Sequence, residues 1–596
     1  MADGNGTVGR VNGPLVEVTG LPQVAMSDIV ELGPSKLPGE VVAISREVAT
    51  VQAYEYTGGL TPGNRVAGRG QPLAARLGPH LLGAVFDGLL RPLAAAGAWL
   101  DPAATQPGET PLEAVQRFDF SPTASIGQVV AAGACLGTIA TRGGVPYRVL
   151  VPRGVAGTID QLRPAGRVEA TAAIATVGDF HVPLTSSWPV RQPMPFAERL
   201  ELDAPLQTGQ RVIDLLFPVV RGGTSAVPGG FGTGKTVLLQ QITKWCDADV
   251  MVFVGCGERG NELAEMLTEL SDLADPRTDG LLSDRTVVIA NTSNMPMMAR
   301  EASIYTAATV AEHFRDMGLH VVVIADSTSR WAEAQREFSS RAGEMPAEEG
   351  YPASLASALA AFYERAGRFS TLNGAEGSVT IIGAVSPPGG DMTEPVTSYT
   401  QRFVRCQWAL DRDLAYARHY PAVSWAASFA RDIGAIGTWR ARNGDPGWSA
   451  RRARLSGLLA EADRVGELAE LIGLTALPPR QRMALLAGRL LREGVLQQSA
   501  ISATDAYSDA ARSAALADSV IAVADMCDAL AGEGVAASVI EDQDYSAMLR
   551  AKEDAGTAEQ VRVIAGKLLD SLSTLGPGRP PAGEQPGREE PGQAHD

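Results

Sequence analysis

Gly229-Gly230-Phe231-Gly232-Thr233-Gly234-Lys235-Thr236 is the stretch whose reading decides how the rest of the chain is understood. It fits G-x-x-x-x-G-K-[ST], in which small residues let backbone N–H groups close around phosphate oxygens, a lysine reaches the terminal phosphates and a hydroxyl faces magnesium. Lys235 and Thr236 take those two places, and Val237 follows in the first helical turn. Upstream, Thr224-Ser225-Ala226-Val227 reads as a short buried strand. Downstream, Leu238, Ile242 and Trp245 recur at helical spacing, so the loop opens a helix whose positive end faces an anion. Strand, glycine loop and helix stand in the order a phosphate cradle needs.

Cleaving a terminal phosphate takes two further groups, a magnesium-directed carboxylate and a residue that orients the attacking water. Val321-Val322-Val323-Ile324-Ala325-Asp326 is a continuous apolar run ending in an acid, as expected of a buried central strand that delivers Asp326 to the carboxyl edge of a parallel sheet. Val250-Met251-Val252-Phe253-Val254-Gly255-Cys256-Gly257-Glu258-Arg259-Gly260 is the strand that follows the loop's helix, so its end falls near the phosphates. Glu258 is then placed to polarise a water, and Arg259 to offset developing charge.

The chain has 596 residues, and at about 150 residues per domain it holds three or four units. Hydrophobic residues make up 45% and charged residues 20%, the balance of a folded globular chain. A net charge of −17 speaks against nucleic acid or an anionic membrane as a partner, since both need clustered lysine and arginine. Cys135, Cys246, Cys256, Cys406 and Cys527 show no C-x-x-C spacing, which disfavours a disulfide framework or a zinc site. No secretory signal is visible at the N-terminus, and the apolar run Leu81 to Leu100 is broken by Asp87, Arg91 and Pro92, so it reads as buried rather than spanning.

In chain order, residues 1–74 are valine-rich with Gly-Pro and Gly-Gly turns, the pattern of a small β-barrel. Residues 75–189 hold a linker and an inserted β-rich module without visible chemistry. Arg191-Gln192-Pro193-Met194-Pro195 is a stiff linker that leads into residues 190–435, where strand-like and helical runs alternate as in an α/β domain on a parallel sheet. Residues 436–575 read as a helical bundle, with helical segments at Ser449 to Leu471, Pro479 to Val495, Ala510 to Leu530 and Thr557 to Leu572. The tail 576–596 is Gly-, Pro-, Glu- and Gln-rich and is expected to be disordered.

These motifs together resemble the catalytic A subunit of V-type and A-type rotary ATPases. The likeness rests on Pro-Gly-Gly-Phe-Gly-Thr-Gly-Lys-Thr from Pro228, Gly-Cys-Gly-Glu-Arg-Gly-Asn-Glu from Gly255, Asn-Thr-Ser-Asn-Met-Pro from Asn291 and Ile-Ala-Asp-Ser-Thr-Ser-Arg-Trp-Ala-Glu from Ile324. Gly-Glu-Met-Pro-Ala-Glu-Glu-Gly-Tyr-Pro from Gly343 and Ser-Pro-Pro-Gly-Gly-Asp from Ser386 add to it. The resemblance implies ATP and ADP with Mg2+ as ligands, and an A3B3 ring in which a B-type subunit supplies an arginine finger. It further implies central and peripheral stalks, a membrane ion-translocating sector in other subunits, and a cytoplasmic place on the inner face of the cell membrane through that complex. Within the loop, Gly229, Gly230, Phe231, Gly232, Thr233, Gly234 and Val237 match nucleotide-contacting positions. Tyr420, in His-Tyr-Pro-Ala, matches the aromatic that packs on adenine, and Gln498 and Ile501 match the far wall of the base pocket.

Three departures stand out. Ile501 replaces an aromatic and supplies contact without stacking, Ala358 stands where arginine is common, and Thr233 replaces a cysteine and leaves no thiol there for disulfide control. Two other readings stay open on the sequence: a hexameric motor of another class, such as a Rho-like RNA translocase or a type III export ATPase, and a nucleotide-binding ring component without catalysis.

Overall fold

The computed structural model describes residues 5–21, 23–93, 117–275, 277 and 280–576. Residues 94–100 of the apolar run, and the tail expected to be disordered beyond Gly576, lie outside them. The chain divides into two compact units, one of 1–208, 217–418 and 422–440, the other of 209–216, 419–421 and 441–596.

Alternation builds the first layer of the larger unit. In Leu15–Thr19, Val16 and Val18 are buried while Glu17 and Thr19 face water, the period of two that a one-sided strand shows. Strands Asn5–Asn12, Leu15–Thr19, Val48–Ala53, Leu37–Ser45, Asp28–Leu32 and Arg65–Pro72 close in that order into a barrel. Closure removes the exposed strand edges, and Val30, Val51 and Val66 fill the interior with the two valines above. Two four-stranded antiparallel sheets between Arg117 and Pro183 form the β-rich module, whose own core holds Leu136, Ile159, Val177 and Val182.

The large sheet places the site. From one side it carries Phe429–Ala430, Cys406–Gln407, Thr224–Pro228, Glu376–Val385, His320–Asp326, Val250–Glu258, Thr286–Thr292 and Val85–Phe86. All neighbouring pairs from Cys406–Gln407 to Val85–Phe86 run parallel. Its central strands are buried almost without interruption, because a parallel sheet is covered on both faces and tolerates no polar alternation. The glycine loop leaves this sheet from a strand flanked on both sides, and in the parallel register Gly255 pairs with Asp326 at the carboxyl edge.

The proline linker is pinned by one helix, Met297–Asp316. Arg191 donates to both Glu301 oxygens (3.0 and 2.7 Å), and the Met194 N–H donates to Glu312 Oε2 (2.9 Å). Buried Arg365 then joins Glu312 Oε1 (2.8 Å) to the Val190 carbonyl (2.6 Å). Stiffness here comes from charged hydrogen bonds as much as from proline.

The smaller unit is helical. Trp448–Ile472, Pro479–Leu491, Ala510–Gly532 and Ala558–Ser573 fall on the four segments read from the sequence, and Ala537–Glu541 and Ser546–Asp554 are too short to show a period. Leu455, Leu458, Leu459, Ala462 and Val465 give the first of these its buried stripe. Caps fix the starts of two: Asp509 accepts the Arg512 N–H, and Thr557 and Gln560 form a reciprocal capping box. A cut at one point in the sequence misses that this unit also takes in 209–216 and 419–421. Residues 209–216 are held there by a buried ion pair, Arg211 Nη1 to Asp505 at 2.7 Å, with neither side chain exposed, and 419–421 by the Gln498 N–H, which donates to the Tyr420 carbonyl (2.8 Å). Arg211 spends its other donors on the carbonyls of Val495 (2.5 Å) and Gln497 (2.8 Å).

Removing one partner of such a pair leaves a buried charge, at a cost of about 3–5 kcal/mol. Asp505→Ala is therefore expected to speed amide exchange at Gln498 and Ser499 by about a hundredfold or more under native conditions. Exchange at wild-type rates would show that the pair does not hold the segment.

Candidate functional site

Glycine at three loop positions answers to three different constraints. At Gly229 a Cβ would stand 2.7 Å from Thr233 Oγ1 and 2.9 Å from Leu410 Cβ, so the site has no room for a side chain. Gly232 (φ +79°) and Gly234 (φ +83°) lie in the left-handed region that other residues enter only with strain. The Thr233 hydroxyl donates to the Gly230 carbonyl (2.9 Å) and closes the turn. Helix Lys235–Trp245 starts without a side-chain cap, which leaves its first N–H groups facing outward, the arrangement that attracts a phosphate. Its inward face is Leu238, Leu239 and Ile242, while Trp245 is half-buried and donates to Gln241 (3.0 Å). Phe231 (95% exposed), Thr236 and Val237 stand at the surface of the loop.

Lys235 Nζ donates to the Gly229 carbonyl at 2.7 Å. Burial lowers its proton affinity, and the negative charges of Asp326 and Glu258 pull the other way. Asp326, 4% exposed at the end of His320–Asp326, is pushed up to about 6 by burial, against the opposing pull of Lys235. Glu258 is pushed up to about 7, first by burial, then by the charges of Asp326 and Glu262, with Arg330 and Lys235 opposing. The ammonium and the two carboxyls thus sense one another across the carboxyl edge of the sheet. The backbone holds Glu258 in place through its carbonyl, which accepts the Ser293 N–H at 3.0 Å.

Arg259 is elsewhere. Its side chain is 71% exposed, and its closest carboxylate is Glu262 at 3.7 Å, a loose surface pair of little energetic weight. Two charges that the sequence reading left without a role do act on the cluster: Arg330 lowers the proton affinity of Glu258, and Glu262 raises it. Arg330 stands four residues past Asp326 within a motif already singled out, which was the available signal.

Within the helical unit, Tyr420 is 41% exposed and its carbonyl accepts the Gln498 N–H (2.8 Å). The Gln498 side chain is buried and committed to the scaffold. Its oxygen accepts the Arg211 N–H (2.8 Å), and its nitrogen donates to the carbonyls of Gly209 (2.9 Å) and Asp505 (2.9 Å). It thereby holds the loop that carries Ile501, which is 97% exposed. Ala358 packs against the core of the larger unit.

Four family models match the chain. They are described as the ATP synthase alpha/beta family β-barrel domain (residues 8–70), the barrel-sandwich domain (110–191), the nucleotide-binding domain (209–430) and the C-terminal domain of V and A type ATP synthase (438–527). The chain is 50% identical over 506 residues to the V-type ATP synthase alpha chain of Anaeromyxobacter dehalogenans, covering 84% of this chain and 87% of that one. It is 48% identical over 507 residues to the V-type alpha chain of Nitrosococcus oceani (84% and 85%). To the A subunit of the A-type ATP synthase of Methanosphaera stadtmanae it is 45% identical over 512 residues (84% and 87%). Among solved structures, the ATPase EscN of the enteropathogenic E. coli type III secretion system superposes with a TM-score of 0.63 at 22% identity, covering 87% of this chain and all of that one. That likeness shows a shared fold alone.

A carboxyl whose affinity for protons is raised by folding is destabilising when ionised, and the penalty grows as pH climbs from its ordinary value to its folded one. For Glu258 that window runs from 4.5 to about 7. Glu258→Gln is therefore expected to raise the thermal midpoint of the nucleotide-free chain at pH 8, with the gain shrinking as pH falls and gone below pH 4. A gain independent of pH, measured by scanning calorimetry, would contradict the burial of this carboxyl.

Proposed function

The chain belongs to the ATP synthase alpha/beta family, among its V- and A-type alpha chains, and from that premise we propose that it hydrolyses or forms ATP in a rotary complex that moves protons or sodium ions across a membrane. The observation that carries this is the meeting of Lys235, Asp326 and Glu258 at one sheet edge beside the glycine loop.

Each residue takes a role from its chemistry. Amides of Gly230 to Thr236 and the Lys235 ammonium hold the β- and γ-phosphates of ATP, or the β-phosphate of ADP. The Thr236 hydroxyl and the Asp326 carboxylate form an oxygen donor set that suits Mg2+, and a dication beside Asp326 would keep this raised carboxyl ionised at neutral pH. Mg2+, when bound, neutralises charge on the phosphoryl oxygens. Glu258 orients the attacking water and takes up its proton, and a proton affinity near neutrality suits a group that must hold and release one. Arg259 is free to swing toward phosphate, since its pair with Glu262 binds it weakly. In the helical unit Tyr420 and Ile501 leave apolar faces exposed, and Gln498 holds their segment in place.

A B-type subunit in an A3B3 ring supplies the arginine finger, worth about 10³–10⁵ in rate, so the chain alone turns over slowly. Stalk subunits and a membrane sector complete the machine. Among the described residues no helix is long and apolar enough to cross a membrane.

Glu258→Gln in the reconstituted complex should keep nucleotide affinity and cut turnover by about 10²–10⁴. Wild-type turnover would remove Glu258 from the mechanism. Lys235→Ala should weaken MgATP binding at least about tenfold. Unchanged affinity in a titration with a fluorescent analogue would count against the cradle.

A further inference from the structure

Arg412 has no part in the roles above, yet the main chain carries it to the mouth of the glycine loop. Strand Cys406–Gln407 runs parallel to the loop's own strand, with Ser225 opposite Cys406 and Ala226 opposite Gln407. The pairing continues past it, because the Trp408 N–H donates to the Ala226 carbonyl (2.9 Å) and the Leu410 N–H to the Pro228 carbonyl (2.8 Å). The two segments are therefore joined up to the residue before Gly229. The Asp411 carboxylate then accepts the N–H groups of Asp413 (2.7 Å) and Leu414 (3.0 Å), which starts a short helix and fixes Arg412 in its first turn.

From there the side chain reaches over the loop. A Cβ built on Gly230 would lie 3.5 Å from Arg412 Nη2, and one on Gly390 3.8 Å from the same atom. Among the described residues this guanidinium has no carboxylate, carbonyl or ring as a partner. A solvated surface arginine is ordinarily without consequence. Here the backbone brings the arginine to the amides of the glycine loop, and a guanidinium presents a planar fork that fits phosphate oxygens two at a time.

We propose that Arg412 is a second phosphate ligand supplied by this chain itself, one that grips the outer phosphate oxygens of the bound nucleotide from the mouth of the loop. The inference rests on the reading that the loop holds a nucleotide. It adds a cation in cis, independent of any that a neighbouring subunit brings.

Equilibrium binding of MgATP, MgADP and AMP to the full-length chain without partners separates the possibilities, since no arginine from another subunit is then present. Arg412→Ala should weaken MgATP binding about tenfold, MgADP binding less and AMP binding not at all, with Arg412→Lys recovering part of the loss. Arg412→Gln keeps a polar stem and serves as the second neutral variant. Equal MgATP affinity in wild type and both neutral variants overturns the proposal. So does an equal loss for all three nucleotides together with a lowered thermal midpoint, which would mark Arg412 as a structural residue. A wild-type chain that binds none of the three overturns the reading of the loop itself, and the proposal with it.

Discussion

Lys235, Asp326 and Glu258 share the carboxyl edge of one parallel sheet, with Asp326 buried and the other two half-buried; Lys235 lowers the proton affinity of both carboxyls, and Asp326 raises that of Glu258. Burial works against all three charges, lowering the ammonium and raising the carboxyls; the attraction of Lys235 for the two carboxylates offsets it only in part, and Asp326 repels Glu258. A chain keeps such an arrangement when a further charge is to be accommodated there, and a polyphosphate with its cation supplies charges of both signs. Most of the larger unit can be understood as the means of holding this cluster steady. The strands on either side of Val250–Glu258 fix its end, parallel pairing sets Asp326 level with Gly255, and glycines permit the left-handed turns that bring Lys235 round.

The surrounding layers meet on one helix. Met297–Asp316 anchors the linker through Glu301 and Glu312, and Arg191 also reaches Glu40 of the barrel at 3.3 Å. Arg365 closes that network from the far side with its bonds to Glu312 and the Val190 carbonyl. The Arg365–Glu312 bonds, buried and fully partnered, are costly to break and so hold the linker against this helix. In the helical unit the Arg211–Asp505 pair does similar work, and Gln498 spends its whole amide on the same segment.

Much of this is written in local sequence pattern. Strands such as Val321 to Asp326 are runs of β-branched residues, the long helices keep their period, and the loop motif has its own chemistry, so barrel, parallel sheet and bundle were all legible. What escaped were consequences of long-range pairing. Arg412 lies far from the loop in sequence and reaches it only because two strands run side by side. Gln498 reads as a ligand by position in a motif, but its environment, made of Arg211, Gly209 and Asp505, assigns it to the scaffold. Exposure was equally invisible: Arg259 and Ile501 sit in segments whose pattern does not tell an inward side chain from an outward one. The likeness in fold to a secretion ATPase at 22% identity carries the same lesson, since one architecture serves several motors and the site has to be argued from its residues.

A structure of the assembled ring with MgADP and a fluoroaluminate mimic of the transferring phosphoryl group tests the central claim most directly. The account requires the Glu258 carboxylate within about 2.6–3.2 Å of a water in line with the mimic, with the Lys235 ammonium on the phosphate oxygens and the Thr236 hydroxyl on the cation. Glu258 turned away from that water, with another group in its place, would contradict it.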